Sequence, residues 1–201
     1  MTAQVQRLRR LVTELRKLSD LETRPLDREA VDMTMLLQEV YALAESQPEA
    51  AGRQLNLAIP RAPWPLPAVN GDRDLLFLAI YNPLDNALKF TKAGDTIELR
   101  ATDNDRWVAI EIADTGPGIP ENEIGQVWEE LYRGEGARGV PGSGLGLALV
   151  RAIVHRHNGR ATIRSRPGQG TLVTLQLPAG VRNYPNFAPI RGQIIKDKKK
   201  R

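Results

Sequence analysis

The sequence predicts an α/β fold: a two-layer sandwich with helices on one face of a mixed sheet. Three observations carry this. Strand-like and helix-like segments interleave along the chain, the pattern of stacked sheet and helix layers. Residues 95–102 and 107–114 flank the turn formers Asp103, Asn104 and Asp105, so they pair as a hairpin and make part of the sheet antiparallel. Residues 160–165 and 171–177 close around Pro167 and Gly168 in the same way.

Taken in order, residues 3–22 read as a helix. Leu8, Leu11, Leu15 and Leu18 fall on one stripe, widened by Val5, Val12 and Leu21, with arginines and acids opposite. One helix of that length cannot bury its stripe alone, so it is expected to pack in a coiled coil or bundle until Pro25 ends it. A second helix starts after Asp32 as N-cap, placing Met33, Leu36, Leu37, Val40 and Leu43 on one face. Residues 54–59 alternate as a half-buried strand, and residues 60–67 form a proline-rich connector. A helix-length apolar segment spans 73–90. Residues 133–146 are glycine-rich and expected to be mobile, and a helix over 147–157 stops at Asn158-Gly159.

Composition excludes several classes. The 201 residues are 41% hydrophobic and 26% charged, which suits one soluble domain with an appendage. The absence of cysteine rules out disulfides and thiolate metal sites and fits a cytoplasmic setting. No apolar run approaches the ~20 residues of a membrane span, so any membrane link is expected only through segments upstream of this sequence. The net charge of +4 resides in the last six residues, which hold five cations and one anion; residues 1–195 are balanced. A neutral body with a short basic tail does not predict nucleic-acid binding.

Three short motifs carry chemistry. Asn82, Asn86 and Lys89 share one helix face, where two amides and an amine suit a hydrated Mg²⁺ and phosphate oxygens, or a plain solvated face. Asp114 to Pro120, Asp-Thr-Gly-Pro-Gly-Ile-Pro, follows a strand. Its carboxylate suits an exocyclic amine of a planar base, and the bland alternative is a Gly/Pro turn. Gly142-Ser143-Gly144-Leu145-Gly146 runs into a helix, offering free amides and a helix dipole to phosphates. It is neither a dinucleotide fingerprint nor a P-loop, and the chain lacks the signatures of eukaryotic-type protein kinases.

The order and spacing of these motifs resemble sensor histidine kinases over about residues 5–178. Residues 82–91, Asn-Pro-Leu-Asp-Asn-Ala-Leu-Lys-Phe-Thr, resemble their asparagine box, and residues 114–120 their first glycine box. Residues 127–133, Val-Trp-Glu-Glu-Leu-Tyr-Arg, resemble the phenylalanine box, residues 142–147 the second glycine box, and residues 168–178 the closing strand.

The resemblance implies the Bergerat ATP-binding fold and a module that presents the γ-phosphate of Mg-ATP to a histidine. Asn86 would coordinate Mg²⁺ with Asn82 beside it, and Lys89 would contact phosphate. Phe90 would line the adenine site, Asp114 would bind the adenine amino group, and Gly116, Gly118 and Ile119 would shape the pocket. Arg133 would reach the γ-phosphate, Gly142, Gly144, Leu145 and Gly146 would cradle phosphates, and Thr171 would complete the purine site. Residues 133–145 would form a lid that orders on nucleotide.

Residues 1–26 would be the second helix of a dimerisation bundle, 30–180 the ATP-binding domain, and 181–201 a flexible basic tail. Implied partners are a homodimer mate through the first helix, a phosphoacceptor helix outside this sequence, and a response regulator.

Three features depart from the family pattern. Pro83 lies inside the asparagine-box helix, where it should kink the chain between Asn82 and Asn86. Trp128 and Leu131 replace phenylalanines. His155 and His157 are followed by Arg156 and Asn158 rather than an acid, so both are expected to be structural or surface residues and the phosphoacceptor is missing. Hydrolytic relatives such as gyrase carry a glutamate where this chain has Asn82, which has no proton-accepting carboxylate. An anti-sigma-factor-type serine kinase and a non-catalytic nucleotide-binding module are the alternatives.

Overall fold

The computed structural model describes residues 24–60, 65–104 and 106–180. The helix expected over residues 3–22 and the tail beyond 180 lie outside the described residues. Strands β1 (Glu29–Val31), β2 (Gln54–Ala58), β3 (Val69–Gly71), β4 (Thr96–Asp103), β5 (Trp107–Asp114), β6 (Arg160–Arg166) and β7 (Gly170–Pro178) alternate with helices α1 (Met33–Glu45), α2 (Arg73–Phe90) and α3 (Gly146–Arg156).

Five strands form one sheet in the order β2-β4-β5-β7-β6. The β2–β4 pair is parallel and the other three pairs are antiparallel, so the sheet is mixed as expected. The β1–β3 pair makes a separate antiparallel ribbon that the sequence did not announce.

Side chains alternate across each strand, so every second residue enters the core. Ile97, Leu99 and Ala101 of β4, Val108, Ile110 and Ile112 of β5, and Val173, Leu175 and Leu177 of β7 are all buried. They share one core with Leu76, Ile80, Leu84 and Leu88 of α2 and with Leu149, Val150, Ile153 and Val154 of α3. Each large aliphatic side chain removed from water contributes about 1.5–3 kcal/mol. Asp32 caps α1, its Oδ1 accepting from the Met35 amide at 3.0 Å, and Asp72 caps α2 by accepting from Leu75 at 3.2 Å.

Pro83 does not break α2, which runs as one helix from Arg73 to Phe90 with the proline ring buried. The Asn82 Nδ2 donates to the Leu78 carbonyl at 2.8 Å, whereas the backbone donor that Pro83 lacks would have served the Ala79 carbonyl. Burial of the ring offsets part of the expected cost.

His157 confirms the structural role expected of it. It is 2% exposed, its Nε2 accepts from the Asp72 amide at 2.9 Å, and its Nδ1–H donates to the Ile153 carbonyl at 2.8 Å. It thereby ties the end of α3 to the start of α2. Only the neutral ring can make both bonds, because protonation turns Nε2 into a donor facing another donor. Burial holds its pKa below the usual imidazole range. The Arg28 and Arg156 charges add to that effect, while the Ile153 carbonyl and Asp72 oppose it.

A histidine with a lowered folded pKa stabilises the protein above its unfolded value, and that stability is lost as pH falls below it. Urea unfolding should therefore show stability declining from pH 7.5 to pH 5.5, by up to about 1.4 kcal/mol per pH unit from this residue. His157→Gln should flatten that decline; an unchanged slope would remove His157 as its source.

Candidate functional site

Asp114 is the last residue of β5 and lies directly opposite Thr171 of β7. Its Oδ1 accepts from the Gly116 amide at 2.8 Å, which bends the chain back over the strand end. Burial pushes its carboxyl above the ordinary value. The Gly116 and Thr171 amides pull it down, and the nearby Asp95 charge adds to the rise.

The loop after β5 is clamped to the β6–β7 turn. The Pro117 carbonyl accepts from the Gly168 amide at 2.7 Å, and the Ile119 amide donates to Ser165 Oγ at 2.8 Å. Ser165 in turn lies 2.8 Å from the Gly170 carbonyl and 2.9 Å from Thr171 Oγ1. Gly118 has φ +71°, and a side-chain carbon there would overlap the Arg166 carbonyl.

This loop, α2, the segment after Pro120 and the start of α3 enclose a cavity of about 340 Å³. Twelve of the fourteen residues singled out from the sequence line it: Asn82, Asn86, Lys89, Phe90, Asp114, Gly118, Ile119, Arg133, Gly142, Gly144, Gly146 and Thr171. Ile112, Leu147, Ile163 and Val173 supply apolar wall. A mostly apolar wall with a few convergent polar groups is the form of a small-molecule site.

Two expected residues do not line the cavity. Leu145 is fully buried in the protein interior, with its amide on Ser143 Oγ at 3.2 Å. Gly116 acts on the cavity only through its bond to Asp114.

The two cations expected at phosphate have other partners here. Lys89 is ion-paired with Asp85, one helical turn earlier. Arg133 donates to three carbonyls of the glycine-rich segment: Gly142 at 3.1 Å, Ala137 at 2.6 Å and Val140 at 2.5 Å. The segment therefore folds around its own arginine, with a 3-10 turn over Glu135–Ala137.

Its two ends meet, because an ideal Cβ on Gly144 would lie 2.6 Å from the Tyr132 carbonyl. α3 begins at Gly146 with no side-chain cap, so its first amides are unclaimed by a capping side chain at the cavity wall. Asn82 Oδ1 stands 3.3 Å from where a Cβ on Gly146 would sit, which favours glycine there.

Trp128 joins the core, whereas Leu131 is 53% exposed at φ 63°. Sequence reasoning missed Ser165, which organises the base-side loop, and Glu123, a buried acid in the cavity wall. Ser165 carries no local signal. Glu123 sits among other polar residues and is distinguished only by its packing.

Residues 71–181 match the family model of histidine kinase-, DNA gyrase B- and HSP90-like ATPases. The chain is 33% identical over 180 residues to the signal transduction histidine-protein kinase BaeS of Escherichia coli strain K12, covering 88% of this chain and 38% of BaeS. It thus spans little more than a third of the length of the curated relatives it matches.

Among solved structures, the mycobacterial sensor histidine kinase MprB is 32% identical with a TM-score of 0.66, over 75% of this chain and 98% of that one. Full-length ShkA in complex with AMPPNP is 26% identical with a TM-score of 0.76, over 92% of this chain and 39% of that one. The chain belongs to the histidine kinase-, DNA gyrase B- and HSP90-like ATPase family, and within it to the ATP-binding catalytic domains of sensor histidine kinases.

Proposed function

We propose that this cavity binds Mg-ATP and presents the γ-phosphate to a histidine supplied by another segment or chain. The observation that carries the reading is convergence. A half-buried carboxylate at one strand end, two helix amides and the uncapped start of α3 all reach one cavity of nucleotide scale. Asp114 accepts from the adenine amino group, and Phe90, Ile119 and Thr171 enclose the ring. Asn82, Asn86 and the α3 amides face the phosphates.

Among the described residues no cluster of three or more His, Cys, Asp or Glu side chains is arranged to hold a metal. Asn86 would hold Mg²⁺ through its amide oxygen, in keeping with that ion's preference for oxygen ligands and retained waters. When bound, the ion neutralises phosphate charge. The protein contributes position and electrostatics, which dominate phosphoryl transfer. Asn82 has its amide nitrogen on the Leu78 carbonyl and offers no base for activating water, so transfer is favoured over hydrolysis.

In this reading residues 1–26 form part of a dimerisation bundle, residues 30–180 the ATP-binding domain, and a response-regulator aspartate is the final acceptor. The site works on the cytoplasmic side of any membrane the longer protein spans. Among the described residues no helix is long and apolar enough to cross one.

A second reading, a nucleotide-binding module without transfer, draws on the engagement of Lys89 by Asp85 and of Arg133 by the lid. Calorimetric titration with Mg-ATP should show binding that weakens when EDTA removes the metal. No heat at millimolar nucleotide would overturn the ATP site. Adding a phosphoacceptor-helix fragment with γ-labelled ATP should label its histidine; binding without label would select the second reading.

A further inference from the structure

The segment that begins at Arg133 is braced by a single buried acid. Glu123 follows Pro120, its amide donating to the Pro120 carbonyl at 2.9 Å and its own carbonyl accepting from Gln126 at 2.9 Å. It is 9% exposed and lines the cavity wall. Its side chain reaches the first residues of the lid. The Glu135 amide donates to Oε1 at 3.4 Å. One residue earlier, Gly134 packs against Oε2 so closely that any side-chain carbon would overlap it.

Arg133 directly precedes these two residues. Its guanidinium then gathers the carbonyls of Ala137, Val140 and Gly142. A buried carboxylate left without donors carries a large desolvation penalty, so the contact at 135 holds the carboxylate as well as the backbone. Nothing in this packing involves the adenine or metal residues.

We propose that Glu123 is a positioning residue for the lid, fixing the backbone just after Arg133, and that residue 134 is glycine because the Glu123 carboxylate occupies the space of a side chain. That this segment closes over nucleotide rests on the ATP reading; the brace itself does not. It sets how often the lid opens, and hence how long Arg133 is held in place.

The test uses the full chain without nucleotide. Arg138 is exposed within the lid, and trypsin cleavage after it reports opening. Glu123→Ala and Gly134→Ala should each speed that cleavage about tenfold, the scale of losing one buried hydrogen-bonded anchor. Glu123→Gln keeps an acceptor oxygen and should restore the parent rate. The decisive variant is the double substitution: with the carboxylate gone, Gly134→Ala should add nothing.

Additive effects in the double variant, or parent-like cleavage in Gly134→Ala, would overturn the proposal. So would a Glu123→Gln lid as open as that of Glu123→Ala. Circular dichroism of each variant separates lid opening from global unfolding. Because cleavage is read without nucleotide, a failed brace and a failed ATP site give different results.

Discussion

Gly170→Ala should destabilise the protein by about 3–4 kcal/mol, the upper range for one substitution. Gly170 opens β7 at φ +99°, a left-handed conformation that costs other residues about 1–2 kcal/mol. Its missing side chain faces the Asp114 carbonyl oxygen, which a methyl would overlap, with Thr115 Cα 2.9 Å away.

All of those atoms are backbone, so relief requires β5 and β7 to part where Asp114 meets Thr171. Gly168 supplies the control. It has φ +73° in the same turn but nothing within 4 Å of its Cβ position. Gly168→Ala should therefore carry only the conformational cost, about 1 kcal/mol. Urea midpoints of the two variants would measure the steric part by difference. Equal midpoints would mean that β7 does not press on the end of β5 in this way.

Asp114→Ala should raise the dissociation constant for ATP about 100-fold, as expected for a charged hydrogen bond worth roughly 1.5–3 kcal/mol. Asp114→Asn keeps an oxygen but must share it between the Gly116 amide and the base, so a loss of about tenfold is expected.

The stability of the free protein should move the other way. Burial raises the Asp114 pKa, so ionising it at neutral pH costs folding free energy, and a neutral amide relieves that cost. Calorimetry for affinity and urea unfolding for stability should thus give Asp114→Asn weaker binding with no loss of fold. Lower stability, or unchanged affinity, would remove Asp114 from the base site.

Much of this was legible in the sequence, and what was not has identifiable causes. α1 was readable because the Asp32 cap precedes a long apolar period, and α2 because its apolar run has the length of a helix. The hairpin of β4 and β5 was readable because its turn residues lie between alternating runs. The β1–β3 ribbon was not, since each strand has three residues and its partner is some forty positions away, with no turn signal between them. Nor was the parallel β2–β4 pairing, which no short connection dictates.

At the site, the residues that line the cavity fell into short, glycine-marked runs. What escaped was mutual engagement. A sequence shows Lys89 and Arg133 as cations but not that Asp85 and the carbonyls of the glycine-rich segment hold them. Pro83 misled for a related reason: its ring is buried against the core, in a helix that keeps its course.

The meeting of Tyr132 and Gly144 has one more consequence. Because the two ends of the intervening loop are pinned together, the sheet does not register how much chain lies between them. Doubling a flexible loop of that kind costs only about 0.6 kcal/mol. Insertions and deletions between those two residues are thus nearly neutral for folding, while they change how much of the cavity mouth is covered. The length of this loop can drift among descendants of this sequence, by small steps, without passing through an unstable protein.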